Sequence, residues 1–325
     1  MRRFVPVLAC VIVVSICLGT MPVPALAQAR TAESVLAAAR AALGGEAKIN
    51  AVKTFIATGR TRQVRGDNLI PIEFEIQAEL PDKYSRHDEF PAQEAGPVTA
   101  GFVGDQLVLI PRPVPPPPRP GQPAPPPAAM EAQLRARMMQ AKQDFARLML
   151  GMFAGSTPAF PLTFAYVAQA EAPQGKADVI DVKGPANFTA RLFVDSTTSL
   201  PIMVSWQPAA PPRPQGPPGA PGAQGPPGAP AAPPGAQAPP AGVAIAQPAP
   251  AGAPNAPTAQ AGPPRAPSAP PEQRMYFADY KDVDGLKLPF RIRRAAGSDT
   301  TEETTFDRYR INAKVDPRRF DTSTK

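Results

Sequence analysis

Few residues in this chain could do chemistry, and the only histidine is the first to consider. His87 is followed by Asp88 and Glu89, and an imidazole beside carboxylates can act as a general base. Catalysis by such a base needs a nucleophile, and a metal site needs a second ligand. The neighbouring sequence supplies neither. We therefore interpret His87 as an exposed polar residue near the end of a strand.

A group of aspartates suggests a calcium site at first sight. Asp279, Asp282 and Asp284 lie near a turn, but the repeated acid spacing and the distal glutamate of a calcium loop are missing. Asp-Gly turn chemistry explains these residues better.

The motifs of serine hydrolases, zinc proteases, phosphate-binding loops and dinucleotide-binding folds are also missing. We expect no cofactor, no metal and no catalytic residue, and hence a protein that is not an enzyme.

Both cysteines lie in an N-terminal leader, which has a positive start at Arg2 and Arg3, an apolar run and an Ala-Leu-Ala cleavage site. This pattern predicts a secretory signal peptide over residues 1–27. The apolar run is shorter than the roughly 20 residues of a membrane span, so we expect no transmembrane span after cleavage. The mature chain then has no disulfide and no thiolate chemistry. We expect a periplasmic location, with an extracellular one as the alternative.

Proline shapes the rest of the chain, accounting for 48 of the 325 residues. Most prolines lie in stretches 111–127 and 208–271, which have too few large apolar side chains to build a core. We predict that residues 28–325 form one domain, interrupted by these two stretches as disordered insertions. The net charge of +7 comes with no dense basic patch, because several arginines fall in the leader and the insertions. We therefore expect no nucleic-acid partner.

The remaining sequence shows the patterns of an α+β domain. Thr31–Leu43 reads as a helix with Thr31 as its N-cap, and the diglycine after it as its end. Ile70–Leu80 alternates between apolar and polar residues, which predicts a strand with one buried face. Val98–Val103 and Gln106–Ile110 flank a hairpin turn. We predict nine or ten antiparallel strands and two helices, arranged as a strongly curved antiparallel sheet (an incomplete β-barrel) covered by helices.

The longest predicted helix, Met130–Phe153, is rich in methionine. Its apolar residues recur at helical spacing and form one stripe. Methionine adapts its shape to varied apolar partners. Two interpretations stay open: the helix closes the open face of the sheet as ordinary core, or helix and sheet bound a cavity for an apolar ligand.

Several short motifs resemble the LolA/LolB-like periplasmic lipoprotein carriers. They are the strand start Leu80–Arg86, the hairpin Gly104–Leu109, and the closing segments Asp282–Ile292, Tyr309–Asn312 and Val315–Phe320. The resemblance implies an incomplete β-barrel that is lidded by helices and holds the acyl chains of lipoproteins or other lipids. By that analogy the methionine-rich helix is the lid.

The chain departs from this family in its two proline-rich stretches and at one position. The carriers place an arginine before the proline of the strand start, where it interacts with the lid, and this chain has Leu80 there. Arg60 and Arg62, on an earlier strand, are the candidates to replace that arginine.

We therefore predict a non-enzymatic binder or carrier of lipoprotein acyl chains or other apolar ligands. The alternative is an envelope structural or interaction protein that binds a partner protein through its proline-rich loops. The predicted residues lining an apolar cavity are Ile72, Phe74, Ile76, Ile202, Val204, Trp206, Phe290 and Ile292 of the sheet, and Met138, Phe145, Met149 and Met152 of the helix.

Overall fold

The computed structural model describes residues 30–91, 93, 96–112, 126–172, 175–208 and 269–321. The predicted signal peptide and most of the two proline-rich stretches lie outside these residues. The helices are α1 (Ala32–Ala42), α2 (Glu46–Ala51) and α3 (Pro127–Phe153), and a short 3-10 turn spans Pro317–Phe320. The strands are β1 (Thr54–Arg65), β2 (Asn68–Glu79), β3 (Lys83–Glu89), β4 (Val98–Val103), β5 (Gln106–Ile110), β6 (Thr163–Ala172), β7 (Gly175–Gly184), β8 (Phe188–Asp195), β9 (Pro201–Trp206), β10 (Gln273–Val283), β11 (Leu286–Ala296) and β12 (Asp299–Ile311).

All twelve strands form one antiparallel sheet, in the order β5-β4-β3-β2-β1-β12-β11-β10-β9-β8-β7-β6. The first and last strands are neighbours at its centre, and β5 and β6 are its two edges. The described residues leave these edges unpaired, so the sheet is open. The curved antiparallel sheet that the sequence predicts is thus present, with twelve strands rather than nine or ten.

Helix α3 connects the two edge strands, because it follows β5 and precedes β6. It therefore crosses the concave face from one edge of the sheet to the other. Gly151 allows its close approach to β10, since a side chain there would collide with the ring of Phe277. The hydroxyl of Tyr280, also on β10, donates to the carbonyl of Gly151 at 2.9 Å and to that of Pro201 at 2.8 Å.

Local signals account for the N-terminal helices and for the curvature. Thr31 caps α1 through a reciprocal hydrogen-bond pair with Ser34, as its position in the sequence predicts. The short helix α2 was not predicted.

β-Bulges interrupt the register at four places, including one at Gly59 on β1. Bulges bend a strand and increase its twist, which helps the sheet curve around α3.

The alternation of Thr300–Val315 predicts a strand up to Val315, but the strand ends earlier. β12 stops at Ile311, and Asn312 adopts a left-handed conformation with φ of 52°. The following segment crosses the outer face of the sheet, where the backbone N–H of Asp316 donates to Gln77 Oε1 at 2.7 Å. Ile56 of β1, on the outer face, is thereby buried. Within the described residues, no helix combines the length and hydropathy needed to span a membrane.

Candidate functional site

The concave face of the sheet and the second half of α3 form one apolar core. Residues 127–141 of α3 are mostly exposed, whereas Lys142–Phe153 are almost all buried. Aromatic rings anchor this buried half, since Phe145 packs against Tyr84 and Phe102 with centroid distances of 4.7 and 5.7 Å. The exposed half is the N-terminal part of α3 and contributes little to this core.

Most of the predicted lining residues lie in this region. Eight are buried: Ile72, Phe74, Ile76, Phe145, Met149, Met152, Val204 and Ile292. Three are half-buried against the core: Met138, Trp206 and Phe290. Ile72 is set apart from the main apolar cluster, because it lies beside the buried hydroxyl of Thr61 on β1.

Ile202 does not lie where the alternation of β9 predicts. Its side chain is 36% exposed, among the exposed large apolar residues of the molecule. The register between β8 and β9 shifts here, so that Pro201 instead pairs with Val194 and Ile202 has no partner on β8. A bulged residue of this kind is turned out of the regular pleat, and Ile202 is therefore removed from the lining set.

An apolar cleft opens to solvent at the C-terminal end of α3. Its volume is about 290 Å³. It is lined by Met149 and Phe153 of α3, by Ile49 and Val52 near α2, and by Leu80, Pro81, Arg40, Asn50, Lys53, Gly155, Ser156, Thr157 and Pro158. Because Met149 and Phe153 also belong to the buried core, the cleft leads directly to the interface between helix and sheet.

Charged side chains occupy the concave face at the opposite end of the sheet. Arg86 of β3 donates to Asp88 Oδ1 at 2.7 Å and to Thr61 Oγ1 at 3.1 Å. The Thr61 hydroxyl lies 2.8 Å from that of Thr304, which donates to Glu302 Oε1 at 3.2 Å. Since Arg86 can only donate, the two hydroxyls donate in sequence towards Glu302.

Two further arginines complete this end of the concave face. Arg294 of β11 is the register partner of Glu302 and forms an ion pair with it at 3.8 Å. Arg147 of α3 donates to Asp144 at 2.9 Å, and its guanidinium lies over Trp206 at 4.2 Å from the ring centroid. We call the set Arg86, Asp88, Asp144, Arg147, Arg294 and Glu302 the charged rim.

Arg147 is the most deeply placed cation of the charged rim. Only 7% of its side chain is exposed, and its Nε is buried without a hydrogen-bond partner among the described residues. Burial lowers the pKa of its guanidinium, Asp144 opposes that effect, and the positive charge of Arg294 lowers the pKa further. The two arginines are therefore close enough to repel each other.

The arginines of the charged rim differ from those that the sequence predicts to contact the lid. Arg60 and Arg62, the expected substitutes for the family's lid-contacting arginine, face outward, and Arg60 pairs with Asp307 at 3.3 Å. Their positions on β1 pair with outward residues of β12, so they cannot contact α3. The alternation of Arg86 with the inward Tyr84 was the signal that could have found one concave-face arginine.

The residues considered for catalysis lie on the outer face or in turns. His87 contacts the Thr99 hydroxyl at 2.8 Å and Glu89 at 3.4 Å. It borders an outer-face pocket of about 390 Å³, which is also lined by Glu73 and Glu75 of β2, Arg60 of β1 and Asp307 of β12. Asp282 accepts the backbone N–H of Gly285 at 2.9 Å, which is the turn chemistry predicted for it. Within the described residues, no group of three metal-ligating side chains is assembled.

Comparison with known proteins identifies similar folds in solved structures. No protein-family model matches the chain, and no curated protein matches its sequence. A LolA superfamily protein from Nitrosomonas europaea aligns with a TM-score of 0.47 and 11% identity, covering 90% of this chain and 98% of that one. A domain described as an outer membrane lipoprotein-sorting protein, from Vibrio parahaemolyticus, aligns with a TM-score of 0.44 and 9% identity over 88% and 96% of the two chains.

A third solved structure, a DUF1329 family protein from Desulfovibrio piger, aligns with a TM-score of 0.40 and 5% identity over 89% and 97% of the two chains. All three scores are below 0.5, so the ligand must be inferred from the geometry of this chain.

Proposed function

We propose that this protein binds and carries apolar ligands, such as the acyl chains of lipoproteins or other lipids, between its concave sheet and the second half of α3. The observation that carries the proposal is the apolar cleft at the end of α3, which leads into the core through Met149 and Phe153. With the predicted signal peptide, this function belongs in the periplasm.

The size of the cleft indicates how a ligand enters. Ligand pockets usually measure about 300–1,000 Å³, so a cleft of about 290 Å³ is large enough for only part of a lipid. Deeper insertion requires Met149 and Phe153 to move. Methionine changes shape at low cost because it is unbranched, and each methylene that leaves water contributes about 0.8 kcal/mol to binding.

The path of α3 supports the same proposal. The helix bridges the two open edges of the sheet, and only its second half is buried. A displaced α3 would expose the apolar concave face, which is unfavourable in water unless another apolar group covers it. An acyl chain is such a group, so a small shift of α3 lets a ligand cover part of this surface while the helix stays in place.

Native mass spectrometry of the exported protein, together with displacement of a fluorescent fatty-acid probe, tests the proposal. We expect bound lipid in the spectrum and saturable probe binding. Leu80→Asp places a charge in the cleft and should weaken probe binding by about tenfold or more, since a bound acyl chain would take the new carboxylate out of water.

Leu69→Asp is the matched control, because Leu69 is 63% exposed and lies at the far end of β2. It should bind the probe as the wild type does. A protein that copurifies with no lipid and binds no fatty-acid probe would contradict the proposed function.

A further inference from the structure

The concave interior is polar at one end and apolar along the rest. The cleft lies by Lys53 and Leu80, at the start of β1 and the end of β2, whereas the charged rim surrounds Thr61, near the end of β1. Seven residues of strand separate Thr54 from Thr61, or about 23 Å at roughly 3.3 Å per residue. Between them the sheet and α3 pack directly against each other through apolar side chains.

This arrangement matches the shape of an amphiphile. The hydrocarbon core of a bilayer is about 30 Å thick and holds two acyl chains end to end, so one chain spans about half of that. An acyl chain that starts at the charged rim is therefore short enough to reach along the concave face towards the cleft, and it enters by moving packed side chains of α3 aside. Its headgroup would then lie among charged side chains.

Resting on the proposed function, we propose that the ligand is an anionic amphiphile whose carboxylate or phosphate headgroup is bound at the charged rim by Arg86, Arg147 and Arg294. Among the described residues, the buried Nε of Arg147 has no hydrogen-bond partner, and each guanidinium has five N–H donors in a planar fork that suits such oxyanions. An anion beside Arg147 also offsets the desolvation of this buried cation and its repulsion by Arg294.

The acidic residues of the charged rim indicate where the headgroup enters. Arg86 and Arg147 hold their carboxylates at 2.7 and 2.9 Å, whereas Arg294 and Glu302 are 3.8 Å apart. The Arg294–Glu302 pair is thus the longest of the three and the easiest to open. Its side chains are 32% and 18% exposed, so a headgroup reaches them from solvent. We place the headgroup between Arg294 and Arg147.

The test compares palmitate with monopalmitoylglycerol, which has the same acyl chain and no charge, by displacement of a neutral apolar fluorescent probe from the full chain. We expect the wild type to bind palmitate at least about tenfold more tightly than monopalmitoylglycerol, because the palmitate carboxylate accepts charge-assisted hydrogen bonds from arginine. Arg294→Gln and Arg147→Met should lose most of this preference while keeping the affinity for monopalmitoylglycerol within about twofold.

Arg293→Gln is the matched control, because Arg293 is the exposed neighbour of Arg294 on the other face of β11. It should keep the preference for palmitate. Arg294→Gln changes a half-exposed side chain and keeps the test valid should Arg147→Met fail to fold. Equal binding of the two lipids by the wild type would overturn the headgroup site alone. Binding of neither lipid would overturn the proposed function as well.

Discussion

At the scale of single residues, the concave face combines aromatic packing with charge. Tyr84 lies between Phe102 and Phe145 and next to the charged rim. Burial raises the pKa of its phenol to about 12, although Arg86 and Arg294 oppose the effect. Tyr84 therefore reports on the state of the interface between α3 and the sheet.

The raised pKa of Tyr84 predicts a loss of stability in alkali. The folded protein holds the phenolic proton between about pH 10, where an unfolded tyrosine releases it, and about pH 12. The contribution is complete below pH 10 and is lost as the pH rises through this window. Urea unfolding at about pH 9 and about pH 11 should show a smaller pH-dependent loss in Tyr84→Phe than in the wild type. An identical loss in both proteins would contradict this assignment.

At the scale of elements, α3 consists of two halves with different roles. The second half supplies core residues, and Lys142 fixes its start by an ion pair of 2.7 Å with Asp105 in the turn between β4 and β5. This contact, with its hydrogen bond and charge, lowers the pKa of Asp105. The first half remains exposed, and this division is consistent with the proposed role of α3 as a movable cover.

Truncation of leucines in the two halves should therefore have unequal effects. Leu150 is fully buried, and Leu150→Ala should lower the free energy of unfolding by about 2–5 kcal/mol. Leu134 is 39% exposed, and Leu134→Ala should change the free energy of unfolding by less than about 0.5 kcal/mol. Denaturant titrations of both variants measure the difference. Similar values would mean that α3 packs along its whole length.

At this scale, an element was predictable where its sequence signal is local. Thr31 as N-cap and the two glycines after Leu43 predicted α1, and the alternation along β2 predicted its buried face. The bulge at Ile202 was not predictable, because it depends on how β9 pairs with β8. Which half of α3 is buried was also not predictable, since the apolar stripe runs along both halves.

At the scale of the whole molecule, the second proline-rich stretch begins and ends at neighbouring points of the sheet. Trp206 at the end of β9 is the register partner of Gln273 at the start of β10. The two strands are neighbours in the single sheet, so the long connection between them is not needed to bring them together.

Replacing residues 208–271 with a short glycine-rich turn should leave the fold and the binding of fatty-acid probes intact. Loop closure costs about 0.6 kcal/mol less for each halving of the connection, so a tenfold shortening should stabilise the protein by about 2 kcal/mol. Thermal or urea unfolding and probe titration test both expectations. Loss of probe binding in a folded variant would instead favour the alternative in which the proline-rich loops perform the function.

The sequence by itself determined the features that depend on composition and neighbouring residues: the confinement of both cysteines to the first 27 residues, the two proline-rich stretches, the capped first helix and the alternating strands. Only the tertiary structure decided that the first and last strands meet at the centre of the sheet, that α3 spans its two edges, and that Arg86, Arg147 and Arg294 share one end of the concave face. The physical reason is distance along the chain. Caps and alternation act between nearby residues, whereas the charged rim is assembled by pairing strands and a helix that are far apart in sequence.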